Sequence, residues 1–171
     1  MLSKSALILI CTALALPLAA RADAVPDSAT QALTADYKLN CTAATDPTDA
    51  NLAAAFGLLA PDFVSVDFKG KQTQHDEFIA SAKQQIKLLH ITTCDNTLTS
   101  VTASDPNTIV VVVTGKLAGQ LQAPDGSHDF DLTSKTQDTW KLNNGTWQNS
   151  QGKELSSLVK IDGKVVQDEG N

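Results

Sequence analysis

Asp138 lies two residues before Trp140 in KTQDTWKLNNGTWQNS, residues 135–150. That stretch alternates polar and apolar side chains on both sides of Asn144-Gly145, which reads as a β-hairpin turn. Strand side chains repeat with period two, so Asp138 shares a face with Phe130, Leu132, Trp140 and Leu142. The opposite face carries Asp129, Asp131, Thr133, Lys135, Gln137, Thr139 and Lys141 and is the solvated one. The Asp138 carboxyl is therefore expected to point inward. Two more polar groups are placed to meet it. Tyr37 falls on the stripe Ala29, Leu33, Tyr37 and Cys41 of a helix, and Asp67 closes the strand FVSVDF just before Gly70. Desolvation raises the pKa of an inward carboxyl. Kept neutral, such an acid donates a hydrogen bond to a developing oxyanion, a neighbouring phenol supplies a second, and a separate carboxylate shuttles a proton. Each residue also has a structural alternative. Asp138 would be a carboxylate bonded to Tyr37 or to the backbone, and Tyr37 a core tyrosine with a satisfied hydroxyl. Asp67 would cap the Lys69-Gly70 bend.

The rest of the inward face is polar as well. Counting by twos from Asp138 reaches Thr136 and Ser134, and from Trp147 it reaches Asn149 and Gln151. A buried face this polar is costly unless it lines a wet pocket, which favours a ligand with hydrogen-bonding groups. Trp140, Asn149 and Gln151 are the candidate ligand contacts, with His90 as the one histidine retained for the pocket. His75, His90 and His128 are not spaced for shared coordination and there is no CxxC, so no metal site is expected. No phosphate loop, GxSxG elbow or nucleophilic cysteine signature is present, so no cofactor is expected.

The elements that must position these groups follow from periodicity. A first helix spans 26–44, and a second begins at Thr48 or Asp49, presents Leu52, Ala55, Phe56 and Leu59, and ends at Pro61. Strand 63–68 follows, then a third helix from Thr73 with Asp76 in a capping-box position and Phe78, Ile79, Ala82 and Ile86 on its apolar face. From Leu88 the period is two, with runs at 88–94, 97–103, 108–122, 128–142 and 146–155 separated by turn residues. IVVVV at 109–113 is apolar on both faces and is expected to be covered on both. VKIDGKVV suggests a final hairpin, with 167–171 frayed.

Composition sets the compartment and excludes partners. Lys4, the apolar run Ala6 to Leu18 and Ala20-Arg21-Ala22 read as a cleavable signal peptide over 1–22, with cleavage after Ala24 as the alternative. The run is short for a bilayer span, and Cys11 lacks the small residue expected before a lipidated cysteine. The chain is thus expected to be secreted or periplasmic, with residues 23–171 as one domain. Losing Lys4 and Arg21 leaves 11 basic and 19 acidic residues, net charge −8, which argues against nucleic acid and anionic membrane as partners. Two cysteines survive processing, Cys41 and Cys94. In an oxidising compartment they make one disulfide, closing a loop of about 50 residues and contributing on the order of 2–4 kcal/mol; the alternative is two buried thiols.

LAAAFGLLAPDFVSVDFKG, HDEFIASAKQQ and QDTWKLNNGTWQ together resemble the nuclear transport factor 2-like superfamily in its SnoaL-like branch. The resemblance spans residues 23–171 and implies an α+β, cone-shaped fold. In that fold three N-terminal helices pack on a strongly curved, mainly antiparallel sheet, and a ligand enters the open end. Ketosteroid isomerases of that superfamily carry a tyrosine, an aspartate base and a protonated aspartate, and Tyr37, Asp67 and Asp138 fall on those positions. A histidine-aspartate dehydratase pair of the superfamily would require His90 with Asp36. Three functions are therefore carried forward: a secreted protein binding a small polar organic molecule in its cone; a cofactor-free isomerase or lyase; and a module forming homodimers through the open sheet face.

Overall fold

A computed structural model describes Val25 and residues 27–170; the expected signal peptide lies outside the described residues. Helices α1 (Asp27–Thr45) and α2 (Asp49–Phe56) lead into strand β1 (Leu59–Val66), the short β2 (Gln72–Gln74) and helix α3 (His75–Ile86). Five strands follow: β3 (Leu89–Asp105), β4 (Thr108–Ala123), β5 (Gly126–Asn143), β6 (Thr146–Ile161) and β7 (Lys164–Glu169). The sheet runs β2-β1-β6-β5-β4-β3, with β7 also paired to β6. Every pairing is antiparallel except β1 with β6. The fold is α+β, as expected.

The stripe on α1 is real: Ala29, Leu33 and Tyr37 are buried against Ile109, Val111, Val113 and Trp140 to form the core. The Cys41–Cys94 disulfide, with Cα atoms 5.3 Å apart, ties α1 to β3. Asn96 reinforces this tie, its Nδ2 donating to the Tyr37 carbonyl at 3.3 Å and to Cys41 Sγ at 3.5 Å. Thr48 caps α2, accepting from Asn51 N.

Several boundaries differ from the sequence expectation, each for a tertiary reason. Pro61 does not end α2; the helix stops at Phe56, and Pro61 sits inside β1. There it falls in the register break between Leu59 and Val64, where its missing N–H interrupts no ladder. Leu59 accordingly belongs to the sheet and not to α2. Thr73 pairs with Ser65 in the sheet, so α3 is preceded by Gln74, which makes no side-chain cap bond, while Asp76 bonds His75. Asp95-Asn96 is not a turn: β3 runs straight through, because Asn96 satisfies its amide on α1. Residues 167–169 continue β7 where fraying was expected. In the 109–113 run, Ile109, Val111 and Val113 are buried, whereas Val110 and Val112 on the other face are half-buried beside Thr102, Ser100, Thr139 and Gln137.

The turns obey local chemistry. Asn144-Gly145 has φ 50° and 81°, and Asp162-Gly163 has φ 51° and 74°, the left-handed pairs of tight hairpins. Curvature comes from irregularities in the ladders, at Ile91/Thr93, Leu98/Ser100 and Ala103/Asp105 of β3 and at two points between β5 and β6. At the first of these a Cβ on Gly119 would run into the His90 carbonyl oxygen, so only glycine lets β4 pass that close.

Removing the disulfide tests how firmly α1 is held. The Cys41→Ser/Cys94→Ser double variant is expected to lose about 2–4 kcal/mol of unfolding free energy. Urea unfolding compared with wild type measures it, and an unchanged midpoint contradicts the assigned role.

Candidate functional site

Asp138 lies inside, as its strand parity requires, at 6 % exposure. Tyr37 donates its hydroxyl proton to Asp138 Oδ2 at 2.5 Å, and Trp140 Nε1 donates to the Tyr37 oxygen at 3.0 Å. The direction of this chain is fixed by chemistry. An indole N–H only donates, so the phenol oxygen must accept, and its one proton is left for the carboxylate. The Tyr37 and Trp140 rings meet edge to face, 5.7 Å apart at 72°. Asp138 Oδ1 lies toward Gly152, 3.5 Å from where a Cβ on that residue would sit.

Burial pushes the Asp138 carboxyl up to about 6, against the pull of hydrogen bonds from Tyr37 and Thr136. Burial, followed by the neighbouring Asp138 charge, raises the Tyr37 phenol far above its ordinary value, so it stays protonated. The pair thus consists of a permanent donor and a carboxyl that titrates near neutrality.

Asp138 opens onto a hollow of about 500 Å³. Phe63, Ser65, Phe78, Ser134, Thr136 and Asn149 are among its walls, with Gly152 and Glu154 beside the acid. A second hollow of about 580 Å³ shares Ala82, Leu132 and Glu154 with the first and is otherwise mostly apolar, with Leu89, Ile91, Leu117, Leu121 and Phe130 in its wall. Phe78, Ala82 and Ile86 of α3 line these spaces. This explains why α3 has an apolar face yet no fully buried residue.

The remaining candidates are distributed as follows. Asn149 is buried and lines the first hollow, with its Oδ1 accepting from Gln151 N at 3.1 Å. Trp140, at 1 % exposure, packs behind Tyr37 and does not line the hollow, so it supports the site and cannot serve as a ligand platform. Gln151 is exposed. The cause is one extra residue in β6: Trp140 pairs with Asn149 but Thr139 pairs with Gln151, so the bulge at Ser150 turns Gln151 out and Gly152 and Glu154 in. His90 is exposed and borders a separate groove with Thr92, Gln120 and Asp131, while its neighbours Leu89 and Ile91 face the hollow. A His90–Asp36 pair does not form.

Asp67 is a turn residue. Its Oδ1 accepts from Lys69 N at 2.8 Å and Lys71 N at 2.9 Å, and it is not in the wall of either hollow. Phe63 and Ser65 face the first hollow, so Asp67 has inward parity, but the chain has already bent away. His128 joins Asp125 and Asp162 at the far end of β5. Among the described residues no cluster of three or more His, Cys, Asp or Glu side chains is arranged to hold a metal.

Glu154 is the site residue that sequence reasoning missed. It has the wrong parity from Trp147 until the Ser150 bulge is counted, and Gly152 in the QGKE segment is the only local mark of that irregularity.

Comparison with known proteins agrees with this architecture. No family model matches the sequence, and no curated protein matches it. Among solved structures, a conserved protein from Planctomyces limnophilus superposes with a TM-score of 0.64 at 14 % identity, covering 80 % of this chain and 99 % of that one. An NTF2-like (nuclear transport factor 2-like) protein of unknown function in nutrient uptake from Rhodospirillum rubrum gives 0.56 at 22 %, covering 71 % and 95 %. The chain has the NTF2-like fold. A scytalone dehydratase-like protein from Novosphingobium aromaticivorans shares this fold with a TM-score of 0.62 at 9 % identity, covering 78 % and 87 %. At these identities the NTF2-like likeness concerns the fold and not the chemistry.

The buried acid has a pH signature. Its folded pKa, about 6, lies above the 3.8 of an ordinary carboxyl, so its contribution is full below pH 4 and is lost as pH rises through 6. The loss is on the order of 3 kcal/mol. Asp138→Asn is expected to remove this slope in denaturant unfolding between pH 4 and 7, and parallel profiles for both proteins would refute the burial effect. Tyr37→Phe deletes a donor that lowers the Asp138 pKa, so the same transition should move to higher pH, with about 1–3 kcal/mol lost at neutral pH.

Proposed function

We propose that this NTF2-like protein is a secreted small-molecule-binding protein of the SnoaL-like type, with its ligand seated in the cone against Asp138. The observation that carries the reading is the hollow of about 500 Å³ into which a buried, hydrogen-bonded carboxyl opens. Such a volume suits a small organic molecule, and a few convergent polar groups in an otherwise apolar wall are what ligand sites present. The disulfide and the apolar N-terminal stretch support export. Among the described residues no helix is long and apolar enough to cross a membrane.

A cofactor-free isomerase or lyase is the second reading, favoured by a carboxyl whose pKa of about 6 suits proton transfer near neutrality. Its roles differ from those expected from the resemblance. Tyr37 spends its proton on Asp138 and does not reach the ligand, so Asp138 alone is the oxyanion donor. Glu154 replaces Asp67 as the base. Homodimerisation through the open sheet face would leave either reading intact.

Thermal denaturation against a metabolite panel is the direct test. At least one compound should raise the melting temperature of wild type, and Gly152→Ala, which adds a methyl beside Asp138 Oδ1, should diminish that rise. A panel hit equally effective on Gly152→Ala and on Asp138→Asn would place the ligand elsewhere.

A further inference from the structure

The first hollow is rich in acceptors, and neither hollow has positive charge in its described wall. Their described walls contain the two carboxyls, Asp138 and Glu154, and not one Lys, Arg or His. Glu154 is half-buried, and among the described residues none makes a hydrogen bond or ion pair with its carboxyl. It lies opposite Thr136 across the β5–β6 ladder, one inward position along from the Asp138–Gly152 pair. The two residues are therefore diagonal neighbours on one face, about 7–8 Å apart at the backbone. A buried carboxylate without a counter-charge is costly. Nothing in the wall supplies the counter-charge.

Glu154 is also where the two hollows adjoin. On one side lie Ser65, Ser134 and Asn149, and on the other a chamber walled by Leu89, Ile91, Leu121 and Phe130. A molecule that satisfies both sides has a cationic, hydrogen-donating head and an apolar body. An ammonium group brings up to three donors and one positive charge to a wall of acceptors. A carboxylate or phosphate head would meet two acids and no cation.

Building on the binding reading above, we propose that the cone takes a protonated primary amine with an apolar body, its ammonium group held between Asp138 and Glu154 and its body in the Leu89–Phe130 chamber. Tyr37 is a positioning residue here: it orients the Asp138 carboxyl so that Oδ1 is turned to the ligand side. Desolvation makes the charge pairing selective, because hydrogen bonds to ionised groups are about twice as strong as neutral ones.

Three probes with one apolar body separate the head groups: 4-phenylbutylamine, 4-phenylbutanol and 4-phenylbutyrate, titrated calorimetrically into wild type at neutral pH. The amine is expected to bind tightest and the acid not at all. Glu154→Gln and Asp138→Asn should each weaken the amine by about tenfold or more. Asp62→Asn, the same charge change on an exposed residue of β1, should leave it unchanged. Circular dichroism confirms that each variant is folded, and alcohol binding that persists in Glu154→Gln shows that the hollow itself is intact. Stronger binding of the acid or the alcohol overturns the amine assignment while the hollow remains a ligand site. Amine binding that falls equally in Asp62→Asn reduces it to bulk charge and overturns the assignment too. Silence with all three probes also overturns it, and the metabolite panel then decides the broader binding reading separately.

Discussion

A carboxyl taken out of water constrains everything around it. Asp138 is buried against the core and must be met by donors, and the chain Trp140 to Tyr37 to Asp138 provides them in the only direction an indole allows. Because the phenol is locked as a donor to Oδ2, the other oxygen is turned toward Gly152 and the hollow. Structure and chemistry meet in that one orientation. The arrangement separates the tasks of three residues that the sequence offered as site candidates: Trp140 and Tyr37 hold, and Asp138 faces the ligand space.

That arrangement relies on the position of α1. Tyr37 and Cys41 are four residues apart, so they lie on one face of the helix. The disulfide to Cys94 fixes one turn and the phenol occupies the turn before it. Asn96 bonds to both, and Gly115 opposite it has no side chain to block the amide. The covalent tie is therefore also a positional one, holding the phenol over β5 to within the tolerance of a hydrogen bond.

The hollow exists because the sheet is irregular. A flat, regular ladder under α3 would let Phe78, Ala82 and Ile86 pack down and fill the space. Bulges in β3 and β6 bend the strands away, and the helix face is left half-exposed over a cavity. The same bulges decide which side chains line it. One extra residue at Ser150 puts Gly152 in place of Gln151 and Glu154 in place of Lys153, replacing an ammonium with a carboxylate and altering the ligand chemistry the wall favours. The same inserted residue that shapes the pocket thus sets its charge.

Local chemistry was enough for much of the molecule. The α1 stripe, the Thr48 cap, the Asn144-Gly145 and Asp162-Gly163 turns and the inward parity of Asp138 all follow from residue types and a constant period, because each is decided within a few residues. Resemblance to known motifs supplied the cone. Other features could not be read there. Pro61 fits in a strand only because a ladder break receives it, Asp95-Asn96 stays extended because α1 is there to bond, and Asp67 is claimed by two amides of its own turn. Above all, a bulge advances the register by one residue, and side-chain parity counts residues without knowing where the partner strand has slipped. The sequence by itself determined that an acid faces inward behind a tryptophan. Only the tertiary structure decided which second acid joins it, because that depends on hydrogen bonds made between strands and not along one.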